Sequence, residues 1–128
     1  MDSPNGLHTR MADRKRLQTV AETRVFSEDI DAMMTEAERD AVIMGIAMDP
    51  HGGDLIPGGG GLRKRRIPLP GRGKRGGARL ITLNLGERIP VYAVFVFAKN
   101  ERADLSPGQK RALSRVVEGI KAQARTRR

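Results

Sequence analysis

VYAVFVFA, residues 91–98, is the longest uninterrupted apolar run in the chain, eight residues against the roughly 20 needed to cross a bilayer. Its length and its β-branched and aromatic content predict a strand, and apolar side chains on both faces predict a central one. On its N-terminal side, 78–85 (ARLITLNL) is rich in Leu, Ile and Thr and reads as a neighbouring strand. Before that, 62–67 (LRKRRI) reads as a further strand, stopped by Pro68. GRGKRGG, 71–77, is the turn between them, and His51 to Gly61 is loop.

Beyond the run, Ser106-Pro107 with Gln109 sets an N-cap, an N1 proline and a capping-box glutamine in register. The helix they start carries Leu113, Val116, Val117 and Ile120 on one face and ends in a basic, frayed tail. Nearer the N-terminus, Leu17 to Phe26 predicts a first strand, with Ser27 capping a helix whose first turn holds Glu28 and Asp29. Thr35 and Glu38 form a second capping box, and Asp49-Pro50 ends that helix. Its stripe Ala37, Ala41, Met44 and Met48 is the expected core face. The result is a helical hairpin over about 27–49. The order is strand, two helices, three strands, helix. It predicts an α+β domain: a small antiparallel sheet with an N-terminal helical hairpin and a C-terminal helix, the helices on one face. Residues 1–17 are polar and aperiodic and read as a flexible N-terminal extension, leaving 18–128 as the domain.

The chain has 128 residues, enough for one domain with its own core. With no cysteine, disulfide scaffolds, thiolate zinc sites and cysteine nucleophiles are excluded together. Two histidines, His8 and His51, are too few for a histidine-rich metal centre. A polar N-terminus without an apolar signal core, and no membrane-length segment, predict a soluble, cytoplasmic protein with no membrane partner.

The formal charge of +9 is concentrated. Between Asp54 and Glu87 there is no carboxylate, while Arg63, Lys64, Arg65, Arg66, Arg72, Lys74, Arg75 and Arg79 all fall there. The remainder of the chain balances at 16 cations against 15 acids. A solubilising surface intersperses both signs, whereas a one-sign patch attracts a polyanion, which points to nucleic acid. Ten of the fifteen glycines lie between Gly52 and Gly77, so the patch is not a membrane-surface helix.

Gly71 to Gly76 satisfies G-x-G-x-x-G, but a strand follows it and Val96 stands where an acid should hold a ribose, so dinucleotide binding is rejected. A Walker loop fails because Arg75 follows Gly73-Lys74. Without paired carboxylates in the basic region, a two-metal nuclease is disfavoured. Metal-independent RNA cleavage needs a base for the 2′-hydroxyl, charge stabilisation at the phosphate and an acid for the leaving oxygen. Neighbouring cations disfavour a protonated lysine, and Lys64 sits between Arg63 and Arg65. Strand alternation puts Lys64 and Arg66 on one face, able to act on one phosphate. Composition alone leaves a second reading open, in which all four cations of 63–66 only grip a nucleic-acid backbone. The few aromatics, Phe26, Tyr92, Phe95 and Phe97, argue against binding by base stacking.

Three blocks, LIPGGGGLRKRR (55–66), GRGKRGGARLI (71–81) and VYAVFVFAKNERADLS (91–106), resemble in order and spacing the RelE/HigB branch of toxins from bacterial type II toxin-antitoxin modules. The resemblance spans about residues 18–121. It implies a RelE-like fold and a ribosome-dependent mRNA endonuclease, or mRNA interferase, that inhibits translation without metal or cofactor. It also implies contacts to ribosomal RNA and a cognate helix-turn-helix antitoxin, with operator DNA bound only through that antitoxin. By position, Lys64 resembles the candidate base, Arg66 a transition-state stabiliser and Arg79 a phosphate-binding arginine. Lys99 resembles a basic group able to stabilise charge or donate a proton. Arg63, Arg65, Arg72, Lys74 and Arg75 are the further RNA-binding candidates. The chain departs from the family pattern where Arg65 replaces an apolar residue, where Thr82, Leu83 and Phe97 stand in place of common tyrosines, and where Gly59 replaces a threonine. A charge at 65 needs an exit to solvent or a partner. The missing tyrosines keep a non-catalytic alternative open, a toxin of the wider RelE/ParE superfamily acting by binding gyrase or ribosomal RNA.

Overall fold

The computed structural model describes residues 17–67, 77–98 and 106–126. The elements run β1 (Val20–Glu22), α1 (Arg24–Met33), α2 (Glu36–Met48), β2 (Asp54–Leu55), β3 (Leu62–Ile67), β4 (Ala78–Leu83), β5 (Val91–Ala98) and α3 (Pro107–Thr126). They build a five-stranded sheet in the order β1-β5-β4-β3-β2. The antiparallel meander β3-β4-β5 is the one expected, and its apolar strand β5 is interior. Two features differ from the sequence reading. β1 joins β5 in parallel, making the sheet mixed, and the segment read as loop contributes the short edge strand β2. A two-residue strand carries too little pattern to stand out from a glycine-rich stretch.

The helices also cover both faces rather than one. Phe26 and Ile30 of α1 and Ile46 of α2 pack with Ala78, Leu80, Val91, Ala93 and Val96. On the other face Leu113, Val117 and Ile120 of α3 pack with Leu62, Ile81, Leu83, Val94 and Phe97. β5 is apolar throughout because it serves two cores. A bulge assists it: Ile81 pairs with Phe95 and Thr82 with Ala93, leaving Val94 as the extra residue. Val94 and Phe95 therefore both face α3, and the Phe95 and Phe97 rings lie 5.7 Å apart.

Local signals placed most boundaries. Both halves of the Thr35–Glu38 box form, Thr35 N–H donating to the Glu38 carboxylate at 2.8 Å and Glu38 N–H to Thr35 Oγ1 at 3.2 Å. Ser106 and Gln109 close the same reciprocal pair at the start of α3. The first helix starts a turn earlier than Ser27. Its N-cap is Thr23, whose hydroxyl accepts from Phe26 N–H at 3.1 Å and donates to the Val94 carbonyl at 2.7 Å. Val25 and Phe26 are thus helical and β1 ends at Glu22; Ser27 Oγ instead donates to Glu22 at 2.7 Å.

The stripe expected to face the core along α2 does not. Met44 is 48% exposed and Met48 55%, while Ala37 and Ala41 are exposed as well. The buried side of that helix is Val42, Ile43, Ile46 and Ala47, rotated from the expected stripe. Ala, Met and Ile are all apolar, so two stripes compete in the sequence, and the β-branched one packs. α3 stays helical to Thr126 rather than fraying early, burying Ala124 in place of the exposed Val116.

Two polar clusters tie β1 to its surroundings. Arg39 of α2 donates through Nε to Asp31 at 2.9 Å and through Nη2 to Glu22. The Glu22 hydrogen bond, opposed by burial, raises the Arg39 guanidinium above its ordinary value. Gln18 Nε2 donates to Asn84 Oδ1 and to the carbonyls of Gly86 and Ile89 at 2.8–3.0 Å, fastening the β4–β5 turn beside β1.

Candidate nucleic-acid interface

Pairing between β3 and β4 assembles the cations. Leu62 stands opposite Leu83, Lys64 opposite Ile81 and Arg66 opposite Arg79. Leu62, Ile81 and Leu83 belong to the core beneath α3, so alternation sets Lys64, Arg66 and Arg79 on that same face. Directly opposed residues in an antiparallel pair have Cβ atoms about 5 Å apart, and same-face neighbours along a strand are within about 7 Å. Three cationic groups this close can converge on one phosphate group, since each guanidinium offers a planar fork of donors and lysine a rotatable point charge.

Their environments differ. Arg66 is exposed, Lys64 and Arg79 are half-buried, and the Nη1 atom of Arg79 is buried with no hydrogen-bond partner among the described residues. A buried guanidinium nitrogen without an acceptor is costly and is the kind of donor that an incoming anion satisfies.

Arg63 and Arg65 lie on the opposite face. Arg63 pairs with Thr82 and Arg65 with Leu80, on the side covered by α1 and α2. Arg63 Nη1 donates to the Gly53 carbonyl at 3.0 Å and Arg65 Nη2 to the Asp49 carbonyl at 2.8 Å. The partner that a charge at 65 required is therefore a main-chain carbonyl at the end of α2. Burial is the main influence lowering the Arg65 guanidinium from its ordinary value, Asp49 opposing it and Arg63 adding to it. Arg65 and Arg66 also border a groove of about 520 Å³ that runs along α2 past Ala37, Ala41 and Gly45.

Of the other candidates, Arg72, Lys74, Arg75 and Lys99 lie outside the described residues. The positions where the resemblance expects tyrosines are filled otherwise: Thr82, Leu83 and Phe97 are buried, the last two in the core under α3. The segment 49–53, read from the sequence only as a helix end and loop, receives both back-face arginines, and its Gly52-Gly53 pair is a signal of close backbone approach. Among the described residues no three His, Asp or Glu side chains come together to hold a metal ion, and no helix is long and apolar enough to cross a membrane.

Residues 37–127 match the family described as the RelE toxin of the RelE / RelB toxin-antitoxin system. That span includes all the strands of the cationic face and α3. Such toxins are generally translation-inhibiting ribonucleases held in check by a cognate antitoxin, and the α+β architecture with its C-terminal helix is the one expected of them. This chain belongs to the RelE toxin family.

Proposed function

We propose that this chain is a ribosome-dependent mRNA endonuclease of the RelE/HigB type, cutting the message by attack of a 2′-hydroxyl on the adjacent phosphate. The observation that carries the reading is the register that aligns Lys64, Arg66 and Arg79 on one face, with Arg79 Nη1 buried and, among the described residues, unpartnered. In this mechanism Lys64 accepts the 2′-hydroxyl proton as the oxygen attacks phosphorus. Arg66 and Arg79 hold the non-bridging oxygens, where charge accumulates in the transition state. The bond to the 5′-oxygen breaks, leaving a 2′,3′-cyclic phosphate, and the departing oxygen takes a proton from a nearby acid, for which Lys99 is the candidate. Docking of the ribosome-bound message orients the 2′-oxygen in line with the leaving oxygen, a geometry that free RNA adopts rarely. Arg72, Lys74 and Arg75, between β3 and β4 in the sequence, add further phosphate contacts.

The test adds purified protein to translating ribosomes carrying a defined message, beside naked message treated with EDTA, and maps new ends by primer extension. In-frame cuts confined to ribosome-bound message support the reading. Absence of cuts in both tubes, with growth arrest still seen on expression in cells, replaces it with a binding toxin, which the lack of a tyrosine at 82, 83 and 97 favours. Gyrase and ribosomal RNA are then the targets to assay.

A further inference from the structure

The four consecutive cations of β3 divide by face, and each arginine of the back-face pair donates a hydrogen bond to one other segment. Both carbonyls that accept from Arg63 and Arg65, those of Gly53 and Asp49, belong to the connection between α2 and β2. The same connection is pressed onto the strand. At Gly53, where φ is +92°, a Cβ would lie 2.6 Å from the Lys64 carbonyl oxygen. At Gly52 it would lie 2.6 Å from Asp49 Oδ2 and 2.9 Å from Arg65 Nη1. At Gly53 only glycine allows this approach, and the next residue, Asp54, pairs with Lys64 itself.

Arg65 is held there at an energetic cost. It is half-buried, its Nε is buried without a hydrogen-bond partner, and no carboxylate lies within ion-pair distance of it among the described residues. An apolar residue of similar length would avoid that desolvation, so stability of the strand is not what the arginine supplies. It supplies two fixed points: a hydrogen bond to the end of α2 and a wall against Gly52.

We propose that Arg65, seconded by Arg63, is a positioning residue, clamping residues 49–53 to the back of β3 so that the main chain at Lys64 is immobilised while its side chain leaves on the opposite face. The inference rests on the reading that Lys64 acts on RNA. It assigns the two back-face arginines to a task other than contacting the message.

The test compares wild type with Arg65→Met and Gly53→Ala. Amide hydrogen exchange is followed over 50–55 and 62–67, and single-turnover cleavage of ribosome-bound message is measured across a range of ribosome concentrations. Arg65→Met is expected to melt no earlier than wild type and to exchange roughly 10- to 100-fold faster over 50–55, the factor that loss of one hydrogen bond to a charged donor implies. Its maximal cleavage rate is expected to fall roughly 10- to 100-fold, the penalty of a misplaced reacting group, with the half-saturating ribosome concentration unchanged. Gly53→Ala, which lifts the loop from the Lys64 carbonyl without removing a cation, reproduces both effects. A variant with wild-type exchange overturns the clamp. Fast exchange with an undiminished rate overturns the positioning role, and a raised half-saturation with an unchanged maximal rate shows instead that Arg65 touches RNA. If wild type cleaves nothing, the RNA reading falls, while the exchange comparison still upholds or overturns the clamp.

Discussion

Arg66 stands directly opposite Arg79 across the β3–β4 pair, on the face that also carries Lys64. Opposed like charges destabilise an antiparallel pair, so this arrangement opposes folding. Sites that bind polyanions accept such a cost because the ligand supplies the compensating charge when it arrives.

Arg66→Thr is therefore expected to stabilise the free protein, by about 0.2–1 kcal/mol, the range for relieving one unfavourable cross-strand pair. Urea denaturation checks it, and the gain should shrink as added salt screens the exposed Arg66. A loss of stability on substitution would show that Arg79 is not repelled from across the strand.

The same two arginines should set the salt dependence of RNA binding. Removing Arg66 or Arg79 removes one phosphate contact, and the slope of log affinity against log salt is expected to become shallower by about 0.7 for a single strand. Titrations of a short RNA at several salt concentrations measure it. An unchanged slope means that neither guanidinium meets a phosphate.

Met44→Gln and Met48→Gln are each expected to change stability by no more than about 0.5 kcal/mol, because both methionines are exposed. Ile46→Ala, two residues from either, leaves a cavity in the core under α1 and α2 and is expected to cost about 2–5 kcal/mol. Thermal or urea unfolding of the three variants distinguishes the two stripes of α2.

Thr23→Val keeps the shape of the side chain and deletes its hydroxyl, which both caps α1 and donates to the Val94 carbonyl at the β5 bulge. The expected cost is about 1–2 kcal/mol, that of an N-cap together with a partly buried acceptor left unsatisfied. Unfolding of the variant in denaturant reads it, and a neutral result would return the cap to Ser27.

Reciprocal capping explains why some boundaries were legible. Thr35 with Glu38, and Ser106 with Gln109, satisfy one another within four residues, so the sequence that encodes the contact is contiguous. Thr23 competes locally with Ser27 as a cap, and what favours it is a second bond to Val94, 71 positions away. The choice between the Ala/Met stripe and the Ile46 face of α2 was likewise invisible locally, since it depends on which side meets the sheet.

The order of elements, the central place of residues 91–98, the basic band between Asp54 and Glu87 and the shared face of Lys64 and Arg66 all follow from the sequence, because local pattern and two-residue alternation settle them. Tertiary structure decided the rest. It set Arg79 against Arg66, closed a second core under α3, joined β1 in parallel to β5, and laid residues 49–53 against Arg63 and Arg65 on the other face. Each of these is a pairing between distant segments, fixed by strand register and by the burial of apolar faces that no local window of sequence can weigh.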